Sequence, residues 1–207
     1  MPPIEKPKSP YQEHCERWKE GCGSDQCDGA RRIVLCRGKL PCDVLFIGEA
    51  PGESEDVLGK PFVGPAGKLL DEIIDRASFE SGAWEEKDVG DAHVGQPTLH
   101  MAWTNIVGCI PRNEDGDKAM EPSKKQIEKC RPRLREIVKI AKPKLIVFVG
   151  KLSDKYGPVA LKGIKARTTK IIHPAAIIRA GVEQQGLLVQ RAMVTLTSAF
   201  EDLVQAQ

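Results

Sequence analysis

Two short apolar runs, each closed by a glycine, constrain this chain more than any other feature: DVLFIG at Asp43–Gly48 and LIVFVG at Leu145–Gly150. A strand with one wet face alternates apolar and polar residues. A run that is apolar at nearly every position has to be covered on both faces, as in a parallel sheet flanked by helices. The segments between supply the covers. Ala66–Ala77 repeats apolar residues at Leu69, Leu70, Ile73 and Ile74, one face of a helix. Ser123–Ala141 does so at Ile127, Cys130, Leu134, Ile137 and Val138, and opens with Ser123 and Gln126 in capping-box positions. A last helix is expected over Gln184–Val204. Thr98–Val107 and Thr168–His173 read as two more strands, Ser78–Gln96 as a loop or frayed helix, and Pro111–Pro122 as a charged loop. Strands alternating with helices predict an α/β fold, a three-layer α/β/α sandwich around a mainly parallel four-stranded sheet.

At 207 residues the chain suits one domain. Residues 1–14 are expected to form a flexible arm and 15–207 the domain. The net charge of +2 carries no argument for or against nucleic acid. No apolar run approaches the roughly 20 residues of a membrane helix, and the start, MPPIEKPKSP, lacks the apolar core of a signal peptide. A cytoplasmic protein is expected, without membrane contact, and in that compartment disulfides are disfavoured. Seven cysteines are then many, and five of them, Cys15, Cys22, Cys27, Cys36 and Cys42, fall before or at the first strand. Such a cluster points to a metal or iron–sulfur centre, with scattered packing thiols as the competing reading.

In open α/β sheets ligands bind beyond the carboxyl ends of the strands. Three polar motifs fall there: GEAPG at Gly48–Gly52, Thr104-Asn105, and His173-Pro174. None is a nucleotide loop. The proline in GEAPG removes a donor that phosphate would use, and Leu152 stands where a Walker loop after Gly150-Lys151 needs Ser or Thr.

The stretch GEAPGESEDVLGKPFVGPAGKLLD, Gly48–Asp71, closely resembles the first motif of the family 4 uracil-DNA glycosylases, the iron–sulfur branch of that superfamily. The resemblance continues at Thr104–Cys109 (TNIVGC), Pro111–Asn113 and Cys130, and ends at His173–Arg179 (HPAAIIR). It implies a monofunctional enzyme of base excision repair, without lyase chemistry, that flips uracil out of DNA and hydrolyses its N-glycosidic bond. It implies uracil-containing DNA as the partner of a monomer. By the same resemblance Glu49, His173 and Asn113 are the catalytic candidates: Glu49 for water and the cationic sugar, His173 as donor to the departing base, Asn113 for the water or a sugar phosphate. Ala50, Phe62 and Asn105 would bind uracil, with Phe62 stacking and Asn105 reading its polar edge. Gly64, Ala66 and Gly67 would meet phosphate at a helix start. Ala176 and Ile177, as a wedge, and Arg179, on phosphate, would complete the DNA contacts.

The resemblance also implies a structural 4Fe–4S cluster on Cys22, Cys27, Cys109 and Cys130. The first pair is spaced C-x4-C where the family has C-x-x-C, which keeps Cys15 as an alternative to Cys22 and zinc as an alternative occupant. Cys36 and Cys42 read as packing residues. The competing functions are a non-catalytic DNA- or partner-binding module on the same fold, and a glycosylase for another deaminated or modified base.

Overall fold

The two apolar runs are covered on both sides. In the computed structural model, which describes residues 7–22, 30–89 and 92–206, the elements run α1 (Pro10–Trp18), β1 (Arg37–Gly38), β2 (Val44–Gly48), α2 (Glu53–Leu58), α3 (Pro65–Glu80), β3 (Trp84–Val89), β4 (Ala92–Pro97), β5 (Met101–Asn105), α4 (Lys124–Ala141), β6 (Leu145–Val149), α5 (Lys151–Ala160), β7 (Arg167–Ile171), α6 (Pro174–Ile178) and α7 (Val182–Val204). The main sheet has the order β1-β5-β2-β6-β7. Its pairs are parallel except β1 with β5. Successive residues of the central strands go to opposite cores. Val44, Phe46, Leu145, Val147 and Val149 pack with α3, α6 and α7. Leu45, Ile47, Ile146 and Phe148 pack with α4 and α5. Burying each such side chain stabilises the fold by about 1.5–3 kcal/mol, which is why no position within β2 or β6 carries a polar side chain.

Three expectations change, and one helix appears where none had been assigned. The sheet has five strands rather than four, because the two-residue β1 is too short to leave a periodic signal. Part of the Ser78–Gln96 stretch is a hairpin, β3 with β4, whose polar composition matches its place off the main sheet. The connection after β6 contains a helix, α5, whose Gly157 and Pro158 disguise its period. Residues 10–14, assigned to a flexible arm, belong to α1. There Ser9 and Gln12 form a reciprocal capping box. Trp18 Nε1 donates to Glu136 on α4 at 2.6 Å, and Arg17 pairs with the same carboxylate. Pro132 sits inside α4 without ending it. No helix among the described residues is long and apolar enough to cross a membrane.

Candidate active site

The carboxyl ends of the parallel strands supply one cleft of about 1100 Å³. β2 stops at Gly48 and hands over to Glu49 and Ala50, and β5 stops in register with it, Gly48 opposite Asn105. His173 follows β7 by two residues. All of these except Gly48 line the cleft, together with Phe62 from the loop before α3.

The closest approach is at Gly48. A Cβ there would fall 2.4 Å from Asn105 Oδ1 and 2.5 Å from Phe62 Cζ. Only glycine lets a ring edge and a carboxamide meet over the end of this strand. Phe62 itself is buried and has a left-handed backbone, φ 56°, a conformation that costs a non-glycine residue about 1–3 kcal/mol and persists where the surroundings enforce it. One carboxylate contributes. Glu55 Oε1 accepts from the amides of Val63 and Gly64 at 3.1 and 3.0 Å, and its Oε2 accepts from Gly52 N at 3.0 Å. The GEAPG and PFVG loops are thereby fastened to each other. On the far side, a Cβ on Gly67 would lie 2.0 Å from Phe62 O, so the first turn of α3 packs directly on that carbonyl.

Glu49 is half-buried and its carboxylate makes no hydrogen bond among the described residues. Burial, and secondarily the charge of Glu121, hold its pKa above the ordinary carboxylate value. Glu121 also lines the cleft, a second acid facing Glu49. His173 caps α6, where Ala175 N–H donates to Nδ1 at 3.1 Å. That bond needs a lone pair on Nδ1, so the ring is neutral with its proton on Nε2. Burial, with the charge of Arg179, lowers its pKa in agreement. The site therefore offers a carboxylate, a neutral N–H donor, an aromatic ring and an amide with one donor face and one acceptor face.

Two assigned residues lie elsewhere. Asn113 is turned into its own loop, where Nδ2 donates to Asp117 at 2.8 Å and Oδ1 accepts from Lys118 N at 3.0 Å. Ile177 is 1% exposed in the core. On the short helix α6, Pro174 and Ile177 share the inward face, so Ile178, 45% exposed, is the outward isoleucine. Ala176 and Arg179 do line the cleft, as do Gly64, Ala66 and Gly67. The Gly64 amide is already taken by Glu55, which leaves those of Ala66 and Gly67 at an α3 start with no side-chain cap. Sequence reasoning missed Glu55 and Glu121. The G-x-x-E spacing of Gly52 and Glu55 at a helix start was a usable sign for the first, whereas Glu121 left none.

The cysteines divide. Cys109 and Cys130 are buried, and Cys22 packs against the core that contains Cys130. Cys15 lies on α1, and Cys27 lies outside the described residues. Among the described residues no group of three or more Cys, His, Asp or Glu side chains comes together as a metal site. Burial pushes the thiols of Cys36 and Cys42 up to about 12, as expected of packing residues. The buried guanidinium of Arg133, 1% exposed, bears on the iron–sulfur expectation. It lies against Gly108, next to Cys109, and one helical turn beyond Cys130. It donates hydrogen bonds to Thr104 Oγ1 and to the Asn105 and Ile106 carbonyls. Among the described residues no carboxylate pairs with it. A buried cation without an anion is costly, and an anionic thiolate group beside it fits that need.

Comparison with known proteins agrees with this anatomy. Residues 37–196 match the family model described as the uracil DNA glycosylase superfamily. A type-4 uracil-DNA glycosylase of Pyrobaculum aerophilum is 31% identical over 168 residues, covering 72% of this chain and 74% of that protein. One from Archaeoglobus fulgidus is 28% identical over 185 residues, covering 73% and 82%. One from Sulfurisphaera tokodaii is 37% identical over 119 residues, which is 58% of this chain and 44% of that longer protein.

Proposed function

Because the chain belongs to the uracil DNA glycosylase superfamily, on its type-4 side, we propose that this cleft excises uracil from DNA and leaves an abasic site. The observation that carries the reading is the meeting of Phe62 and Asn105 over Gly48. A stacking ring and an amide that pairs with a polar edge at one spot make a receptor for a flipped base. Asn105 Oδ1 would accept from uracil N3–H while Nδ2 donates to O4.

Cleavage sends the C1′–N1 electron pair onto the base and leaves positive charge on the sugar. His173 Nε2–H donates to uracil O2, where the leaving negative charge collects. Glu49 holds the water whose oxygen bonds C1′ and receives its proton. Both charged states match the site, since the base meets an N–H and the sugar meets a carboxylate. Lys151, Arg179 and Arg191 bring cations to the cleft, suited to phosphates on either side of the flipped nucleotide. Ile178 is the apolar side chain on α6 available to fill the gap left in the duplex.

The test is release of free base, measured by chromatography, from oligonucleotides that carry uracil or hypoxanthine. Uracil release is expected. Hypoxanthine release alone would replace the substrate, and tight DNA binding with no base released would favour the non-catalytic module.

A pH dependence follows. Glu49 must be ionised to act, and its pKa is raised, so the acidic limb of kcat should lie above the ordinary carboxylate value. In Glu121→Gln, one of the two causes is removed and the limb should move to lower pH. An unmoved limb would show that another group titrates there.

A structural 4Fe–4S cluster on Cys22, Cys27, Cys109 and Cys130 is also proposed, supported by the burial of Cys109 and Cys130 and by an Arg133 cation that pairs with no carboxylate among the described residues. When bound, it would supply a covalent tie between the N-terminal segment and the loop after β5. Iron and acid-labile sulfide in equal amounts are expected in the purified protein, and both should be lost in Cys109→Ser and Cys130→Ser. Zinc without sulfide would make the site a zinc centre.

A further inference from the structure

We propose that Arg37 is a positioning residue for the base-stacking ring, setting the backbone of Phe62 through its two flanking carbonyls. The inference rests on the reading of Phe62 given above. Arg37 Nε donates to Pro61 O at 2.8 Å, and Nη2 donates to Phe62 O at 3.3 Å. These oxygens belong to the peptide groups on either side of the Phe62 Cα. In an extended residue they point to opposite sides of the chain, where one guanidinium could not reach both. In the left-handed conformation of Phe62, φ 56°, they point the same way. One planar fork therefore holds Phe62 against returning to an extended backbone and so helps to keep the ring aimed into the cleft.

The fork is itself held in place. Nη2 also meets both oxygens of Asp71 on α3, at 2.7 and 2.9 Å. The guanidinium carbon lies 3.9 Å from the centre of the Trp103 ring, its opposite number across the β1–β5 pair. Trp103 in turn stacks on Phe46 of β2, centroids 5.6 Å apart. Arg37 thus ties three neighbouring strands and α3 to the PFVG loop from one side, while Glu55 holds the amides of Val63 and Gly64 from the other. A lysine would keep the charge over Trp103, but a single ammonium cannot reproduce the planar fork across the two carbonyls and Asp71.

A double-mutant cycle tests this on the full-length protein, with Arg37→Gln, Phe62→Ala and both together, assayed on a uracil-containing duplex. Arg37→Gln is expected to lower kcat about tenfold or more, as misplacing a reacting group does. Affinity for a duplex with a tetrahydrofuran abasic site, which offers no base to stack, should stay within about twofold of wild type. In the Phe62→Ala background, Arg37→Gln should cause no further loss, because its target ring is gone. Arg37→Lys should fail to restore kcat, and it takes the place of Arg37→Gln in the cycle if that variant does not fold. Multiplying losses, a parallel fall in abasic-site affinity, or full rescue by lysine would each overturn the proposal. So would a crystal structure of either variant with the Phe62 backbone unchanged, whatever base the wild type releases. Absence of uracil release by wild type would instead overturn the reading of the reaction, and that crystal structure would then decide the role of Arg37.

Discussion

Glu49→Gln is expected to lower kcat on uracil-containing DNA by about 10²–10⁴-fold, the usual contribution of a positioned acid or base. The amide keeps the shape of the side chain but can neither take a proton from water nor face a cationic sugar with negative charge. Affinity for an abasic-site duplex should not fall, since the cations proposed to meet phosphate are other residues. Stability should hold or rise slightly. The folded-state pKa of Glu49 is raised, so its ionised form costs stability at pH 7, and a neutral amide removes that cost. The gain should disappear as pH falls below the ordinary carboxylate value, where Glu49 is protonated in both folded and unfolded chains. A thermal melt at pH 7 and at low pH checks the sign.

Gly48→Ala should be nearly as damaging without touching any reacting group. Its methyl would stand 2.4 Å from Asn105 Oδ1 and 2.5 Å from Phe62 Cζ, and both side chains are buried. One of them has to move, and a displacement near 1 Å in a positioning group costs on the order of 10²-fold in rate. Overpacking should cost about 1–3 kcal/mol, or a few degrees in Tm for a chain of this length. The variant is expected to remain folded and inactive. Near-wild-type uracil release from Gly48→Ala would show that Phe62 and Asn105 do not enclose the base at that point.

The parts of this molecule that were legible in the sequence are those written in local patterns. Val44–Ile47 and Leu145–Val149 are apolar throughout because each residue enters one of two cores. Ser123 and Gln126 announced the start of α4, and the capping box is formed. GEAPG, Asn105 and His173 each end or follow a strand, and parallel register then brings them to one side. What was not legible depends on contacts between distant segments or on short elements. β1 is two residues long and is recognisable only by its pairing with β5. Ile177 and Ile178 are adjacent, and only the turn of α6 decides which enters the core. Asn113 sits in a motif-like loop, yet the local turn that brings Asp117 and Lys118 close claims its amide. Glu55 and Arg37 both work through backbone atoms of the PFVG loop; the capping spacing of Gly52 and Glu55 hinted at a helix start but not at that loop, and the carbonyls that Arg37 meets leave no mark on the residue types around them.

The most direct test of the whole account is alkali treatment of a uracil-containing oligonucleotide after incubation with the wild type or with Glu49→Gln. Alkali-labile breaks at the uracil position are expected with the wild type, with a drop of about 10²-fold or more in Glu49→Gln at undiminished DNA binding. Wild-type protein that binds this DNA tightly and leaves no alkali-labile site would contradict the account.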